Sequence, residues 1–111
     1  MKKIIFFIVL IVSLGFKGHQ TTTDVAIYGS NSCDHCINLK KALDSAQIEY
    51  RFYDIEIDQA KENEMVSLLN KYRRGGHVTF PVAEINGKQL LIGANYKLIT
   101  EALKKTSNEG H

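Results

Sequence analysis

The sequence predicts an α/β domain with the element order β-α-β-α-β-β-α, a four-stranded mixed sheet with helices on both faces. Three observations carry this expectation. Apolar residues switch along the chain between a two-residue and a helical period. The only two cysteines, Cys33 and Cys36, fall at the first of those switches. Asn86-Gly87, set between two apolar runs, is the strongest short-range signal for a hairpin.

Val25, Ala26 and Ile27 read as a buried first strand ending near Tyr28, followed by the turn formers Gly29, Ser30, Asn31 and Ser32. A helix from about Cys33 to Gln47 is then expected, with Leu39, Leu43 and Ala46 on its apolar stripe. Ile48 to Ile57 alternates, with Ile48, Tyr50 and Phe52 on one side and Tyr53, Ile55 and Ile57 on the other. This predicts a second strand, parallel to the first because a helix crosses between them. Asp58 is a natural N-cap for a second helix bearing Met65, Leu68, Leu69 and Tyr72. Lys71, Arg73 and Arg74 complement its negative end, and Gly75-Gly76 is expected to stop it.

Val82 to Ile85 and Lys88 to Ile92 flank Asn86-Gly87 as two antiparallel strands joined by a two-residue turn. Gly93 and Ala94 turn the chain and Asn95 can cap a last helix, whose inner face is Leu98, Ile99, Ala102 and Leu103. Thr106 to His111 offers no apolar anchor and is expected to fray.

At 111 residues the chain holds a single domain with one core. Part of its apolar content lies in Ile4 to Phe16, a run broken only by Ser13 and Gly15 and preceded by Met1-Lys2-Lys3. That pattern predicts a signal peptide, because the run is too short for the about 20 residues that span a bilayer; an uncleaved anchor is the alternative. The expected organisation is therefore 1–18 signal peptide or N-terminal anchor, 19–23 linker, 24–105 domain and 106–111 disordered tail. The formal net charge of +2 falls to 0 without Lys2 and Lys3, and to −1 without Lys17 as well. Nothing in that balance calls for nucleic acid, and membrane contact is expected only if the N-terminal segment is retained.

The cysteine pair supplies the chemistry. A strand delivers Cys33 to a helix N-terminus, where unpaired backbone N–H groups and the positive dipole end favour an anion. Disulfide exchange needs the thiolate as attacking species. Cys36, about one turn further on, faces the same way and suits the resolving role, attacking the mixed disulfide formed at Cys33. As a structural bridge the pair would close too short a loop to stabilise the fold much. His35, if protonated or hydrogen-bonding, would further favour the reduced pair and so make the disulfide more oxidising; a solvent-facing imidazole without such effect is the alternative. A competing reading from the binding class is a metal or iron–sulfur carrier, with glutathione or a second protomer completing the coordination. Two cysteines alone fall short of a four-thiolate site.

Taken together, Cys33-Asp34-His35-Cys36 at the first strand-to-helix turn, Thr79-Phe80-Pro81 before the third strand and the glycine after the fourth resemble a glutaredoxin of the thioredoxin-fold superfamily. The resemblance covers about Asp24 to Lys105. It implies a thioredoxin-like fold and a thiol–disulfide oxidoreductase, with Cys33 and Cys36 catalytic beside His35, and a cis peptide bond at Pro81. It implies substrate contacts at Thr79, Phe80, Pro81, Gly93, Ala94 and Asn95, with the backbone of Phe80 pairing to the sulfur-bearing segment. The implied partners are protein disulfides or thiols, with glutathione as a candidate co-substrate, no tightly bound cofactor or metal, and a monomeric state.

The chain departs from the family pattern at three places. Ser30 stands where a lysine commonly meets a glutathione carboxylate. Gly93-Ala94-Asn95-Tyr96-Lys97 lacks the acidic residue that contacts the γ-glutamyl end, although N–H groups at Asn95 and Tyr96 can hold a carboxylate. Arg73, Arg74 and His77 are candidates for replacing the missing cationic contacts. Histidine directly before the second cysteine is similar to the exported oxidants and isomerases of the superfamily, which together with the N-terminus implies a periplasmic or extracellular location.

Overall fold

A computed structural model describes residues 23–109. The expected signal peptide or anchor and most of the linker lie outside the described residues. Seven elements follow in the expected order: β1 (Val25–Gly29), α1 (Asp34–Ser45), β2 (Arg51–Asp54), α2 (Gln59–Lys71), β3 (Val82–Ile85), β4 (Gln89–Ile92) and α3 (Tyr96–Glu109). The strands form one mixed sheet in the order β2-β1-β3-β4. β1 runs parallel to β2 and antiparallel to β3, and β3 pairs antiparallel with β4.

Strand alternation divides the core into two layers. Val25, Ile27 and Ile85 pack on Leu39 and Leu43 of α1 and on Ile99 and Ala102 of α3. Ala26, Tyr28, Val82 and Leu90 point to the other face, where Met65 of α2 covers them. The sheet is thus an apolar layer buried on both sides, which is why β1 has no exposed position along its length.

Several boundaries differ from expectation for local reasons. β2 is shorter than Ile48 to Ile57. It begins after Gln47 has turned the chain at φ 58. It ends where an Asp54 carboxylate oxygen accepts the Glu56 amide at 3.0 Å and the Asp54 carbonyl accepts the Asp58 amide at 3.1 Å. The alternation itself holds, with Ile48, Tyr50 and Phe52 on the first core layer and Tyr53 and Ile55 on the second; Ile57, beyond the strand, is 82 % exposed. α1 is shorter by one residue at its start and two at its end, so Ala46 is its exposed C-cap.

Asp58 caps α2 as expected, accepting the Lys61 amide at 3.2 Å. The helix stops before Gly75-Gly76, because Arg73 already takes a left-handed conformation at φ 56 and the Arg74 amide closes onto the Leu69 carbonyl at 2.8 Å. In the hairpin, Asn86 and Gly87 both have positive φ and the Lys88 amide bonds the Ile85 carbonyl at 3.0 Å. Ile85 nevertheless pairs with Gln89, so Lys88 is an extra residue in the turn rather than the first of β4. Asn95 caps α3 through the Leu98 amide at 2.9 Å, while Leu98 itself is exposed. α3 extends past the expected fraying point to Glu109, and Thr106 is tied to the hairpin by the Asn86 side-chain amide at 2.8 Å.

Candidate active site

The parallel pairing of β1 with β2 brings their C-terminal ends to one edge of the sheet, and the loop leaving β1 carries the cysteines there. Cys33 is the N-cap of α1 with extended backbone angles, φ −95 and ψ 122, and its side chain takes no capping hydrogen bond. Its carbonyl accepts the Ile37 amide at 3.0 Å and its amide donates to the Ser30 carbonyl at 3.2 Å, so both ends of the residue are fixed. The sulfur therefore sits at the positive end of the helix with the first-turn N–H groups left for an anion.

The two thiols are chemically unlike. Cys33 is half-buried and Cys36 is fully buried. Burial pushes the Cys36 thiol up to about 11, reinforced by its hydrogen bond to the sulfur of Cys33 and opposed by the Ser30 amide that faces it. Cys36 thus holds its proton at neutral pH, and the half-buried Cys33 is the more accessible sulfur of the two.

Gly29 is what lets Cys36 sit there. A Cβ on Gly29 would stand 2.6 Å from the Cys36 sulfur and 3.5 Å from the Phe52 ring, so no side chain fits at this last residue of β1. Gly29, expected in the turn, is instead paired in the sheet opposite Asp54. Ser30, Asn31 and Ser32 make the turn. The Ser30 hydroxyl oxygen accepts the Ser32 amide at 3.1 Å, and the Ser32 hydroxyl donates to Glu56 at 3.2 Å.

An open groove of about 390 Å³ has His35 on its wall. One wall is α1, the others are the Thr79-Phe80-Pro81 segment and the Gly93-to-Tyr96 turn. The Phe80–Pro81 peptide bond is cis. Gly93 and Ala94 donate to the carbonyls of Thr79 and Pro81 at 2.8 and 2.7 Å, locking the two segments together. Gly93 has φ +65, which favours glycine at that turn.

His35, Thr79, Phe80, Pro81, Gly93, Ala94 and Asn95 all line this groove; Cys33 and Cys36 are not among its lining residues, and His35, between them in the sequence, is the link to the cysteine turn. Arg73, Arg74 and His77 do not line it; Arg74 instead donates to the Leu90 carbonyl at 3.3 Å. Asn38, Leu39 and Ala42 line the groove without having been expected there, and Tyr96, expected to offer its N–H, lines it as well. The first three follow His35 at i+3, i+4 and i+7, a helical face legible from spacing alone once His35 is placed on it. Among the described residues no group of three or more histidine, cysteine or acidic side chains could hold a metal ion.

The family model described as Glutaredoxin matches residues 25–90, from the start of β1 to the second residue of β4 and more than half of the chain. No curated protein matches it.

Proposed function

The chain belongs to the glutaredoxin family, and from that premise we propose that it is a dithiol thiol–disulfide oxidoreductase in which Cys33 exchanges and Cys36 resolves. Thiol oxidoreductase activity is general to the family, whose members act on protein thiols or disulfides and use glutathione as co-substrate. The observation that carries the finer reading is the inequality of the pair: a half-buried sulfur at a helix N-terminus and a fully buried thiol one turn on.

The steps follow from that inequality. The Cys33 thiolate adds to one sulfur of a substrate disulfide, the S–S bond breaks, and the far half leaves as a thiolate that takes a proton from water. Cys36 then gives up its proton and attacks the Cys33 sulfur. The second substrate thiolate leaves, and the protein ends as the Cys33–Cys36 disulfide, oxidised by two electrons as the substrate is reduced by two. The same steps reversed oxidise a dithiol. Phe80, Pro81 and His35, which line the groove, position the partner along it.

The test is a stoichiometric one. Reduced protein mixed with a protein disulfide such as insulin should lose two thiols per molecule and map as a Cys33–Cys36 bridge. Cys33→Ser should abolish the reaction. Reduction that persists in Cys33→Ser would refute the assignment of the nucleophile.

We also propose export to an oxidising compartment. The basic start and apolar run of residues 1–16 support it. N-terminal sequencing of the protein from a fractionated cell should find cleavage near residue 18, or a membrane-bound chain if the segment is kept; full-length protein in the cytosol would contradict export.

A further inference from the structure

The groove that His35 lines, two residues along the chain from Cys33, has very little charge of its own. His35 and Tyr96 are its only titratable side chains, and its remaining walls are apolar or carry neutral amide and hydroxyl groups. Fixed charge is concentrated on the other side of Cys33, toward β2. Asp34 is exposed in the first turn of α1. The Asp54 carboxylate accepts the Asn31 amide at 3.3 Å and the Glu56 carboxylate accepts the Ser32 hydroxyl at 3.2 Å. Lys40 is the one cation bonded to this loop among the described residues. Its ammonium donates to the Asn31 side chain at 2.6 Å and lies 4.1 Å from the centre of the Phe52 ring. The approach to Cys33 is therefore net acidic on one side and uncharged on the other.

We infer that this site, acting as the oxidoreductase proposed above, selects extended polypeptide segments over glutathione, and among them segments with an apolar residue beside the reactive cysteine and basic residues in the flanks. Free glutathione carries two carboxylates and one ammonium. The helix-start N–H groups at Asn95 and Tyr96 can meet one carboxylate, but the groove has no fixed charge to repay desolvation of the other carboxylate and the ammonium, and the acidic edge repels the net negative charge. A cysteine inside a longer chain brings no terminal charges to the sulfur. What it brings is peptide backbone, which needs partners.

Phe80 offers them. Thr79 and Pro81 turn their carbonyls inward to Gly93 and Ala94, whereas the N–H and C=O of Phe80 bond to no other group among the described residues. An extended segment can pair with that free peptide edge as a strand does. The Phe80 and Tyr96 rings, 37 % and 42 % exposed, border the same groove and give an apolar neighbour of the cysteine something to cover. The acidic edge formed by Asp54 and Glu56 at the Asn31-Ser32 turn complements lysine or arginine in the flank.

The experiment compares four disulfides with the reduced full-length protein, each rate divided by that of the same disulfide with dithiothreitol. They are glutathione disulfide, hydroxyethyl disulfide, and the symmetric disulfides of two blocked pentapeptides. Both peptides have phenylalanine before the central cysteine; one has lysine at its ends and the other glutamate. The lysine peptide should outrun glutathione disulfide by about tenfold, the order that one aromatic contact and one charge contact together supply. The glutamate peptide should fall between them, and raising the salt should narrow the gap between the two peptides. Phe80→Ala and Tyr96→Ala should each lower the ratio of lysine-peptide to hydroxyethyl disulfide rates. A glutathione disulfide rate equal to or above that of the lysine peptide overturns the inference while leaving the exchange chemistry intact. Absence of exchange with all four disulfides defeats the oxidoreductase reading itself, and this inference with it.

Discussion

Cys36 and Gly29 occupy a shared space: the sulfur fills the volume where a Cβ on Gly29 would stand, 2.6 Å away. The contact lies at the end of β1, an internal strand buried along its whole length. Gly29→Ala should therefore cost about 1–3 kcal/mol by overpacking. It should also slow the resolving step, because Cys36 is the atom displaced. Chemical denaturation checks the first outcome, and accumulation of mixed disulfide at Cys33 during turnover checks the second. A variant as stable and as fast as the parent would show that the close approach is not needed.

The buried thiol also predicts a dependence on alkaline pH. Its folded value of about 11 lies above the ordinary 9.0, with burial the main cause. The folded state binds this proton more tightly than the unfolded one, so its contribution is fully present below about pH 9 and is lost as pH rises toward about 11. Reduced protein should lose stability across that window, and Cys36→Ala should lose less. Tyr72, raised to about 12 by burial and its bond to Glu84, titrates alike in both proteins and cancels in the difference. Parallel denaturation curves at pH 8 to pH 11, an interval set by this shift, provide the check.

Asn95 stands at the junction of groove and helix. Its side-chain oxygen accepts the Leu98 amide at 2.9 Å and it lines the groove in the same position. Asn95→Ala should cost about 0.5–2 kcal/mol through the lost cap. Asn95→Asp should keep most of that stability, which separates the capping role from any contact with substrate. Thermal unfolding of the two variants beside the parent measures it.

Tyr28, buried in the layer under α2, donates its hydroxyl to Glu64 at 2.6 Å. That bond is the main cause, ahead of Lys61, holding the Glu64 carboxyl below the usual carboxylate range. The stabilisation is present at neutral pH and is lost as pH falls through the lowered Glu64 value. Tyr28→Phe should cost about 1–2 kcal/mol at neutral pH, reduced by the solvent around Glu64, and the gap to the parent should close in acid. An unchanged gap at low pH would mean that packing rather than the bond accounts for the loss.

The parts of this fold readable in the sequence are those written by period and turn chemistry. The switch after Tyr28, the Asp58 and Asn95 caps and the Asn86-Gly87 turn each rest on a few adjacent residues, and the structure has all of them. What escaped depends on groups distant in sequence. β2 stops at Asp54 because an aspartate side chain bonds back to the following turn, and alternation alone cannot reveal that. α2 ends at a non-glycine left-handed residue, Arg73, two positions before the glycines that usually mark such a stop. Gly29 looked like a turn residue because its constraint comes from the side chain of Cys36, seven residues on and a helical turn into α1.

The site divides along the same line. The Cys33-to-Cys36 turn and the Thr79-Phe80-Pro81 segment are local motifs, and the structure brings His35 of the first, the second and the Gly93-to-Asn95 turn around one groove. The basic residues after α2 were candidates for the groove by charge alone, but the chain spends Arg74 on the carbonyl of Leu90 in the edge strand β4. Proximity in sequence to a site does not decide which face a long side chain reaches.

The central claim is that Cys33 is the sulfur that exchanges and Cys36 the one that resolves, and trapping tests it most directly. Cys36→Ser protein, reduced and then given a protein disulfide, should accumulate a mixed disulfide that peptide mapping places on Cys33, while Cys33→Ser should form none at Cys36. Failure of the adduct to accumulate in Cys36→Ser, or equally fast capture through Cys36 in Cys33→Ser, would contradict it.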